Sequence, residues 1–402
     1  MHLVPKPPDS EGNKKWRLCI DYMALKEVIE GMGWPIPNIR SLFQRMGQKR
    51  AKYFAVLDLT SGNHQVALSQ NSCELAAFIT PFGTYKPLRI SMGLKSAPAY
   101  FQKEMATEVL GGLLYSCCEL YIDDIIVYGD SEDNFRNNLE RVLQRLRVMG
   151  VTLNPSKARI GLERVEVLGH VMDKYGIAMS EEKIKRVLDF PIPVFGKDLK
   201  SFLGLANYFR SHIDHYAILS RPLEEMVHNY TETKSKRLVW TQETREAFTA
   251  IQQRIANCPK LYFMDDTSPV GLDTDASDYA IAAYLYQVGP DGTQYPIAFM
   301  SRALVGAQRN WSTIEKECFA IYSALREWEY LLRDRFFTIR TDHKNLRYLN
   351  TNTPKVVRWK LAVQEFNFQV EYLKGEDNVV ADTFSRFRSL EEESDASVEG
   401  EN

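Results

Sequence analysis

The sequence lacks the features of a membrane protein and of a disulfide scaffold. No apolar run approaches the roughly 18 residues that a spanning helix needs, and the start, MHLVPKPPDSEGNKKWR, has no apolar core of a signal peptide. The six cysteines form no CxxC pair and no evident zinc-type cluster with histidines, while Cys117 and Cys118 are adjacent, an arrangement rarely used for a disulfide. These absences predict an intracellular protein with reduced thiols and no membrane segment.

A strong charge of one sign is also lacking, since 50 Lys and Arg stand against 52 Asp and Glu, for a net charge of -2. Residues 389–402 (SLEEESDASVEGEN) contain six acids and no base, and removing those six charges leaves the preceding chain at +4. We expect this acidic tail to be disordered. The rest of the chain is compatible with a local basic groove for nucleic acid.

The pattern of apolar residues predicts a mixed α+β fold in the first half of the chain and a second domain after it. Residues 228–240 are polar without a clear period and predict a linker. The predicted elements are strands at 51–59, 118–129 and 165–173, a capped helix at 131–150, a helical stripe at 198–213, a strand at 270–277, a hairpin around 289–292, a helix at 312–332, a strand at 336–342 and further helices.

Three carboxylates of the first half are expected to converge. Asp123 and Asp124 lie between two apolar runs, which predicts a hairpin with both acids at its turn, and Asp58 ends another apolar strand. Clustered carboxylates repel one another unless a hard divalent cation such as magnesium lies between them, and two such ions promote phosphoryl transfer. The alternative is a polar hairpin turn and a strand-end cap without catalytic function.

Four acids of the second half lie on separate predicted elements, and each alone would more often be a cap or a surface charge. They are Asp275, Glu317, Asp342 and Asp382. Glu315 competes with Glu317, because the two flank opposite edges of one apolar stripe and helix geometry does not choose between them. Ser312 and Glu315 have the spacing of a capping box, which favours a capping role for Glu315.

The ordered segments LDLTSGNHQV, PLRISMGLKSAPAYFQ, ELYIDDIIVYG, NPSKARIGL and VEVLGHVMDKYGI resemble the polymerase motifs of a reverse transcriptase of the gypsy-type LTR-retrotransposon family. FLGLANYFRSHI resembles its thumb helix, and TDAS, EKECFAI, TDHKNL and NVVADTFSR resemble its ribonuclease H domain. The resemblance implies an α+β right-hand polymerase with palm, partial fingers and thumb, followed by an α/β ribonuclease H-like domain with a mixed five-stranded sheet. The implied segments are fingers and palm 1–180, thumb 181–227, connection or linker 228–268, ribonuclease H-like domain 269–388 and tail 389–402.

The resemblance also implies roles for individual residues. Asp58, Asp123 and Asp124 become the metal-binding acids of polymerisation, and the comparison selects Glu317 beside Asp275, Asp342 and Asp382 for the nuclease, with two magnesium ions per site and manganese as the alternative. The implied nucleotide-binding residues are Arg17, which contacts the incoming triphosphate, Lys157, which assists the pyrophosphate leaving group, and Asn63 and Gly93 of the nucleotide pocket. Asn63 replaces the aromatic residue that the family uses as a steric gate against the 2'-OH, and Ser91-Met92-Gly93-Leu94 replaces its usual PFGL.

The implied activity is synthesis of DNA on RNA and DNA templates, together with cleavage of RNA in RNA-DNA hybrids. The implied partners are an RNA template, a DNA primer, the hybrid, dNTPs and other segments of a Pol polyprotein, in the cytoplasm and nucleus. Family members carry further fingers sequence before LVPK, so we expect incomplete fingers and a piece of a longer polyprotein. Two alternatives remain open: a polymerase-inactive remnant that keeps ribonuclease H activity, and one that only binds nucleic acid.

Overall fold

The chain divides into two compact units, Met1–Tyr175 and Gly176–Asn402. The computed structural model describes residues 2–6, 12, 14–230, 237–341 and 353–372. No helix within these ranges is long and apolar enough to cross a membrane. The predicted segment boundaries at 180, 227, 268 and 388 stay predictions, and the acidic tail lies outside the described residues.

The helices and strands of the first unit are short, apart from one long helix. In chain order they are β1 (His2–Lys6), β2 (Lys15–Cys19), α1 (Met23–Val28), α2 (Ile39–Gln48), β3 (Tyr53–Asp58), α3 (Gln70–Leu75), β4 (Phe78–Thr80), β5 (Gly83–Tyr85), α4 (Ala97–Glu104), β6 (Cys118–Tyr121), β7 (Asp124–Gly129), α5 (Glu132–Val148), β8 (Arg159–Leu162), β9 (Val165–Val167) and β10 (His170–Met172).

A four-stranded antiparallel sheet in the order β6-β7-β3-β8 forms the centre of the first unit. Leu57 of β3 packs in one core with Phe101 of α4 and Phe135 of α5, all of them 4% exposed or less. Helix α5 is capped at its N-terminus by Ser131, whose side chain accepts a hydrogen bond from the backbone N–H of Asn134. It is followed by Gly150 with a positive φ of 68°, so the predicted capped helix is confirmed.

The predicted single strand at 165–173 is wrong. The segment is a tight antiparallel hairpin of β9 and β10, in which Val167 pairs with His170. Leu168 and Gly169 at its turn have φ values of 53° and 73°. Two successive residues in the left-handed region reverse the chain where an extended strand would continue it.

The second unit contains a group of helices and a larger sheet. Its elements are β11 (Gly176–Met179), α6 (Glu181–Leu188), α7 (Gly196–Asn207), α8 (Tyr216–Tyr230), α9 (Gln242–Ala256), β12 (Leu261–Tyr262), β13 (Val270–Ala276), β14 (Ala280–Val288), β15 (Gln294–Ala303), α10 (Thr313–Glu327), α11 (Glu329–Leu332), β16 (Phe336–Thr341), α12 (Pro354–Val363) and β17 (Asn367–Tyr372).

Helices α6 to α9 share one apolar core, in which the rings of Phe202 and Phe248 lie 4.4 Å apart. Helix α7 ends at Asn207, earlier than the predicted stripe, and a 3-10 turn at Arg210–His212 follows it. Helix α8 runs to Tyr230, so the predicted linker at 228–240 is helical at its start, while residues 231–236 lie outside the description.

The sheet of the second unit has five strands in the order β15-β14-β13-β16-β17, which confirms the expected mixed sheet. Strands β13, β14 and β15 pair antiparallel, whereas β16 pairs parallel to both β13 and β17. Helix α10 packs against this sheet and buries Phe319, Ala320 and Leu325 with the apolar residues of β13 and β14. This arrangement brings one side of α10 to the end of β13.

Candidate active sites

The carboxylates of the first site are placed by the register of two neighbouring strands. Asp58 at the end of β3 pairs directly with Asp124 at the start of β7. Tyr121 pairs with Asp124 across the hairpin, which leaves Ile122 and Asp123 as its two turn residues. The predicted hairpin is confirmed, with the small difference that Asp124 already belongs to the strand. Residues paired across two strands lie on one face, so Asp58 and Asp124 share one side of the sheet.

Two residues that the sequence analysis did not select support this turn. The backbone of Ile122 has a φ of 53°, unusual for a β-branched residue, and its N–H donates to Gln102 Oε1 at 2.7 Å. Gln102 lies on α4 and is only 2% exposed. Gly62 lies against the turn, and a β-carbon there would approach Asp123 Oδ1 to 2.7 Å. The buried Gln102 amide therefore holds the turn beside Asp123, and the absence of a side chain at Gly62 leaves room for the Asp123 carboxylate.

The electrostatics of this site reflect crowded acids. Burial, followed by repulsion from Asp58, raises the pKa of Asp123 and also that of Asp124. Lys157 Nζ lies 3.0 Å from Asp58 Oδ2, although 63% of the lysine side chain is exposed. The lysine predicted to assist a leaving group therefore contacts a candidate catalytic carboxylate in this structure.

The other three predicted nucleotide-binding residues make no described side-chain contact with the carboxylates of this site. Asn63 lies in the 3-10 turn Gly62–Gln65, whose first residue approaches Asp123, and its buried Oδ1 has no hydrogen-bond partner among the described residues. Gly93 has a φ of 101°, and a β-carbon there would lie 3.2 Å from the carbonyl of Ile20, so the position requires glycine. Arg17 is on β2 opposite Val4, and its side chain lies outside the description.

The second site lies at the end of β13. Asp275 is the next-to-last residue of this strand, and the N–H of Ala276 donates to Glu317 Oε1 at 3.1 Å. Glu317 is 2% exposed and belongs to α10. Asp342 and Asp382 lie outside the described residues. Two of the four predicted acids are therefore brought together by the described part of the chain.

The structure separates the two glutamates that helix geometry left open. Glu315 accepts a hydrogen bond from the N–H of Ser312 at 3.0 Å, and its own N–H donates to Ser312 Oγ at 3.4 Å, which is the predicted capping box. Lys355 Nζ lies 3.0 Å from its other oxygen. The Glu315 carboxylate is occupied by cap and ion-pair contacts, whereas that of Glu317 faces the residue that follows Asp275.

A polar network of Asp273, Tyr286 and Arg340, which the sequence did not predict, continues along β13. Asp273 is two residues before Asp275 and therefore lies on the same face of the strand. Tyr286 OH donates to Asp273 Oδ1 at 2.9 Å, and Arg340 Nη1 donates to the same hydroxyl at 2.8 Å. Burial raises the pKa of Asp273 to about 6 despite the hydrogen bond from Tyr286. The alternation of acids in LDTDAS was the available signal for this pair.

Asp275 also contacts a histidine from the segment between α7 and α8. His215 Nε2 lies 3.0 Å from Asp275 Oδ2, and His215 Nδ1 lies 2.8 Å from Asp214 Oδ2. Burial disfavours the charged imidazole, but the hydrogen bonds with Asp214 and Asp275 outweigh this and raise the pKa of His215 to about 10. The same hydrogen bond lowers the pKa of Asp275.

The donors of both sites fit a hard divalent cation. All candidate ligands are carboxylates, the type that magnesium and manganese prefer. Asp123 Oδ1 is buried without a hydrogen-bond partner in the described chain, which leaves a lone pair for a cation. In the same ranges, no group of three His, Cys, Asp or Glu side chains is assembled as a finished ion site. The donor chemistry is thus present, while the ligand spheres are not closed.

Comparisons with known proteins match two segments of the chain. A model described as reverse transcriptase (RNA-dependent DNA polymerase) matches residues 4–205, and one described as an RNase H-like domain found in reverse transcriptase matches residues 265–366. The chain is 35% identical over 389 residues to the retrovirus-related Pol polyprotein from transposon 297 of Drosophila melanogaster, covering 96% of this chain and 36% of the relative. It is 32% identical over 386 residues to the transposon Tf2-3 polyprotein of Schizosaccharomyces pombe, covering 94% and 28%.

Solved structures agree at the level of the fold. A foamy viral protease-reverse transcriptase in complex with double-stranded DNA matches with a TM-score of 0.76 and 20% identity, covering 92% of this chain and 65% of that one. The same kind of protein in complex with an RNA/DNA hybrid matches with a TM-score of 0.74 and 20% identity, covering 94% and 51%.

A polymerase-type palm followed by a ribonuclease H-like sheet is the class that the fold and the two carboxylate sites define. The chain belongs to the reverse transcriptase family, in the group of LTR-retrotransposon Pol polyproteins, and the resemblance stated from the motifs is confirmed. It spans about a third of the length of the curated relatives that it matches.

Proposed function

We propose that the chain is an RNA-directed DNA polymerase that also cleaves RNA in RNA-DNA hybrids. The observation that carries this proposal is the pairing of Asp58 with Asp124 across β3 and β7, with Asp123 at the adjoining turn. Three carboxylates on neighbouring strand ends are a costly arrangement that serves no purpose in packing. Relatives that are Pol polyproteins support the same assignment.

In the proposed polymerase reaction, the 3'-oxygen of a DNA primer attacks the α-phosphorus of a dNTP, and pyrophosphate leaves. Asp58, Asp123 and Asp124 would hold two magnesium ions, which supply activation of the primer hydroxyl and neutralisation of phosphate charge. Gln102 fixes the turn that carries Asp123, and Gly62 leaves room for its carboxylate. Arg17, Gly93, Lys157 and Asn63 are proposed for the nucleotide pocket, with Lys157 near the departing pyrophosphate.

In the proposed nuclease reaction, water attacks a phosphodiester of the RNA strand and the RNA 3'-oxygen leaves. Asp275, Glu317, Asp342 and Asp382 would hold two ions that make water nucleophilic. Glu317 is held beside the end of β13 by the N–H of Ala276, so its carboxylate is oriented before substrate binds. Contacts with the 2'-OH must distinguish RNA from DNA at this site. Both foamy viral neighbours are complexes with nucleic acid, which supports a duplex partner.

One assay tests both activities. The full chain is incubated with magnesium, dNTPs, and a labelled RNA template annealed to a DNA primer, and primer extension and RNA cleavage are scored together. Asp123→Asn should remove extension and retain cleavage, whereas Asp275→Asn should remove cleavage and retain extension. Loss of both activities in either variant would contradict two separate sites.

The second candidate function is ribonuclease H activity without polymerase activity. Asn63 favours it, because this residue stands where the family has its gating aromatic and its buried Oδ1 has no described hydrogen-bond partner. Cleavage without extension in the parent chain would establish it, and Asn63→Tyr would then test whether the pocket is the cause. Salt-sensitive binding of the hybrid without any turnover would leave only nucleic-acid binding.

A further inference from the structure

A histidine from outside the ribonuclease H-like sheet occupies one of its candidate metal ligands. His215 lies in the segment that joins α7 to α8, and it contacts Asp275 Oδ2 through Nε2 at 3.0 Å and Asp214 Oδ2 through Nδ1 at 2.8 Å. Each ring nitrogen is therefore within hydrogen-bond distance of a carboxylate oxygen, and the ring is held between two acids. The imidazole already lies at the oxygen that a metal ion would use.

The segment that carries His215 is attached to the sheet on both sides of the histidine. Arg210 Nη2 donates to the carbonyl oxygen of Ser301 at 2.6 Å, and the N–H of Ala217 donates to Ser301 Oγ at 2.9 Å. Ser301 belongs to β15 and is 2% exposed. These two hydrogen bonds hold the segment against the sheet on both sides of His215.

The backbone at His215 is consistent with a position held by its contacts. Its φ of 53° lies in the left-handed region, which costs a side-chain-bearing residue free energy and persists where the surroundings impose it. The His215 and Asp275 side chains are each 37% exposed, so solvent and ions reach the contact. The ion pair is therefore accessible rather than sealed in the core.

We propose that His215 is a self-inhibitory placeholder, which holds the Asp275 carboxylate until a divalent cation displaces the imidazole. This proposal rests on the proposed nuclease function only in assigning Asp275 as a metal ligand. A metal ion bound to Asp275 Oδ2 would meet the imidazole at contact distance, so occupancy by one disfavours occupancy by the other. Removing the imidazole should tighten metal binding, whereas a residue that merely oriented Asp275 would weaken metal binding when removed.

The test measures manganese binding to the full chain by the electron paramagnetic resonance of free Mn²⁺. The binding component lost in Asp275→Asn defines the ion at this site. His215→Asn is the main variant, because asparagine accepts left-handed backbone and cannot be charged, and His215→Ala is the second. His228→Ala removes an exposed imidazole of α8 and is the matched control. Circular dichroism and melting establish that each variant is folded.

We expect His215→Asn to lower the Kd of the Asp275-dependent ion by about tenfold, as removal of a competing, partly exposed contact would imply, with no change in His228→Ala. The manganese concentration for half-maximal RNA cleavage should fall by the same factor. An unchanged or higher Kd in both His215 variants, or no Asp275-dependent ion in any chain, overturns the placeholder. Tighter binding without cleavage in any chain overturns the nuclease function alone, while cleavage with an unaltered Kd overturns the placeholder alone.

Discussion

The two carboxylate sites differ in how the negative charge is balanced. In the first unit, Asp58 contacts Lys157, whose side chain is 63% exposed, and the turn acid Asp123 has a buried oxygen without a hydrogen-bond partner in the described chain. In the second unit, Asp275 is hydrogen-bonded to His215, which is itself held by Asp214. The first site sets one exposed lysine against three carboxylates, whereas the second holds Asp275 with a histidine that a further carboxylate also binds.

The pKa shifts follow this difference. Burial and mutual repulsion raise the pKa of both Asp123 and Asp124, so the fold disfavours their ionised forms. The hydrogen bond from His215 lowers the pKa of Asp275, so the fold favours its ionised form. A divalent cation would reduce the repulsion among the three carboxylates of the first site, whereas at Asp275 it would have to replace the imidazole of His215.

The largest loss of activity is expected on replacing Glu317, whose carboxylate faces the candidate nuclease site, whereas Glu315 only caps the start of α10. Glu317→Gln should reduce RNA cleavage by at least about 100-fold, the upper range seen even for outer partners of metal ligands. Glu315→Gln is the matched control and should leave cleavage within about threefold, while the lost ion pair with Lys355 costs about 1 kcal/mol of stability. Hybrid cleavage rates and urea unfolding check both. Equal loss of cleavage in the two variants would break the assignment.

Primer extension at the first site should be sensitive to displacement of the Asp123 carboxylate. In Gly62→Ala, the new methyl group would lie 2.7 Å from Asp123 Oδ1, so the carboxylate must move. We expect primer extension to fall by about 10- to 100-fold, because small misplacements of a catalytic group act on this scale, and RNA cleavage to stay unchanged. Gly33→Ala is the control, since a β-carbon there has open space. Normal extension by Gly62→Ala would mean that Asp123 needs no fixed position.

The local pattern of apolar residues was sufficient to predict the strands and the hairpin that carry the first site. The apolar runs on both sides of Asp123 and Asp124 predicted the hairpin, and the strand before Asp58 was predicted by its composition. The same reasoning failed at residues 165–173, because left-handed backbone at Leu168 is not signalled by a β-rich run. Strand β17 was not predicted from its own residues, and only the family resemblance implied a fifth strand.

Contacts between distant residues were beyond the sequence. Gln102 reaches the backbone of Ile122 across 20 residues, and His215 reaches Asp275 across 60, so no periodicity links either pair. The capping-box spacing favoured a capping role for Glu315, family resemblance selected Glu317, and the structure supplied the physical reason through Ala276 and Ser312. Long-range hydrogen bonds depend on the packed fold, which local spacing does not encode.

Removing one carboxylate charge from each site should have a smaller effect, on the free energy of unfolding without divalent cations. The change should have opposite signs in the two sites. The raised pKa of Asp123 means that its charge destabilises the fold at neutral pH, so Asp123→Asn should stabilise the chain by about 0.5–1 kcal/mol. The lowered pKa of Asp275 means that its charge stabilises the fold, so Asp275→Asn should destabilise by a similar amount after solvent screening. Melting in EDTA at pH 7 measures both. Shifts of the same sign would contradict the comparison.

The smallest effect is expected at Lys157. Its ammonium lies as close to Asp58 as His215 does to Asp275, but it is 63% exposed, and no second carboxylate within hydrogen-bond distance is seen to hold it in the described chain. Solvent weakens such a pair, so Lys157→Met should change the Kd of the Asp123-dependent Mn²⁺ by less than about threefold. His215→Asn should lower the Kd of the Asp275-dependent Mn²⁺ by about tenfold. Because the two distances are equal, a similar shift in both variants would mean that proximity of a cation, rather than how firmly it is held, controls metal entry.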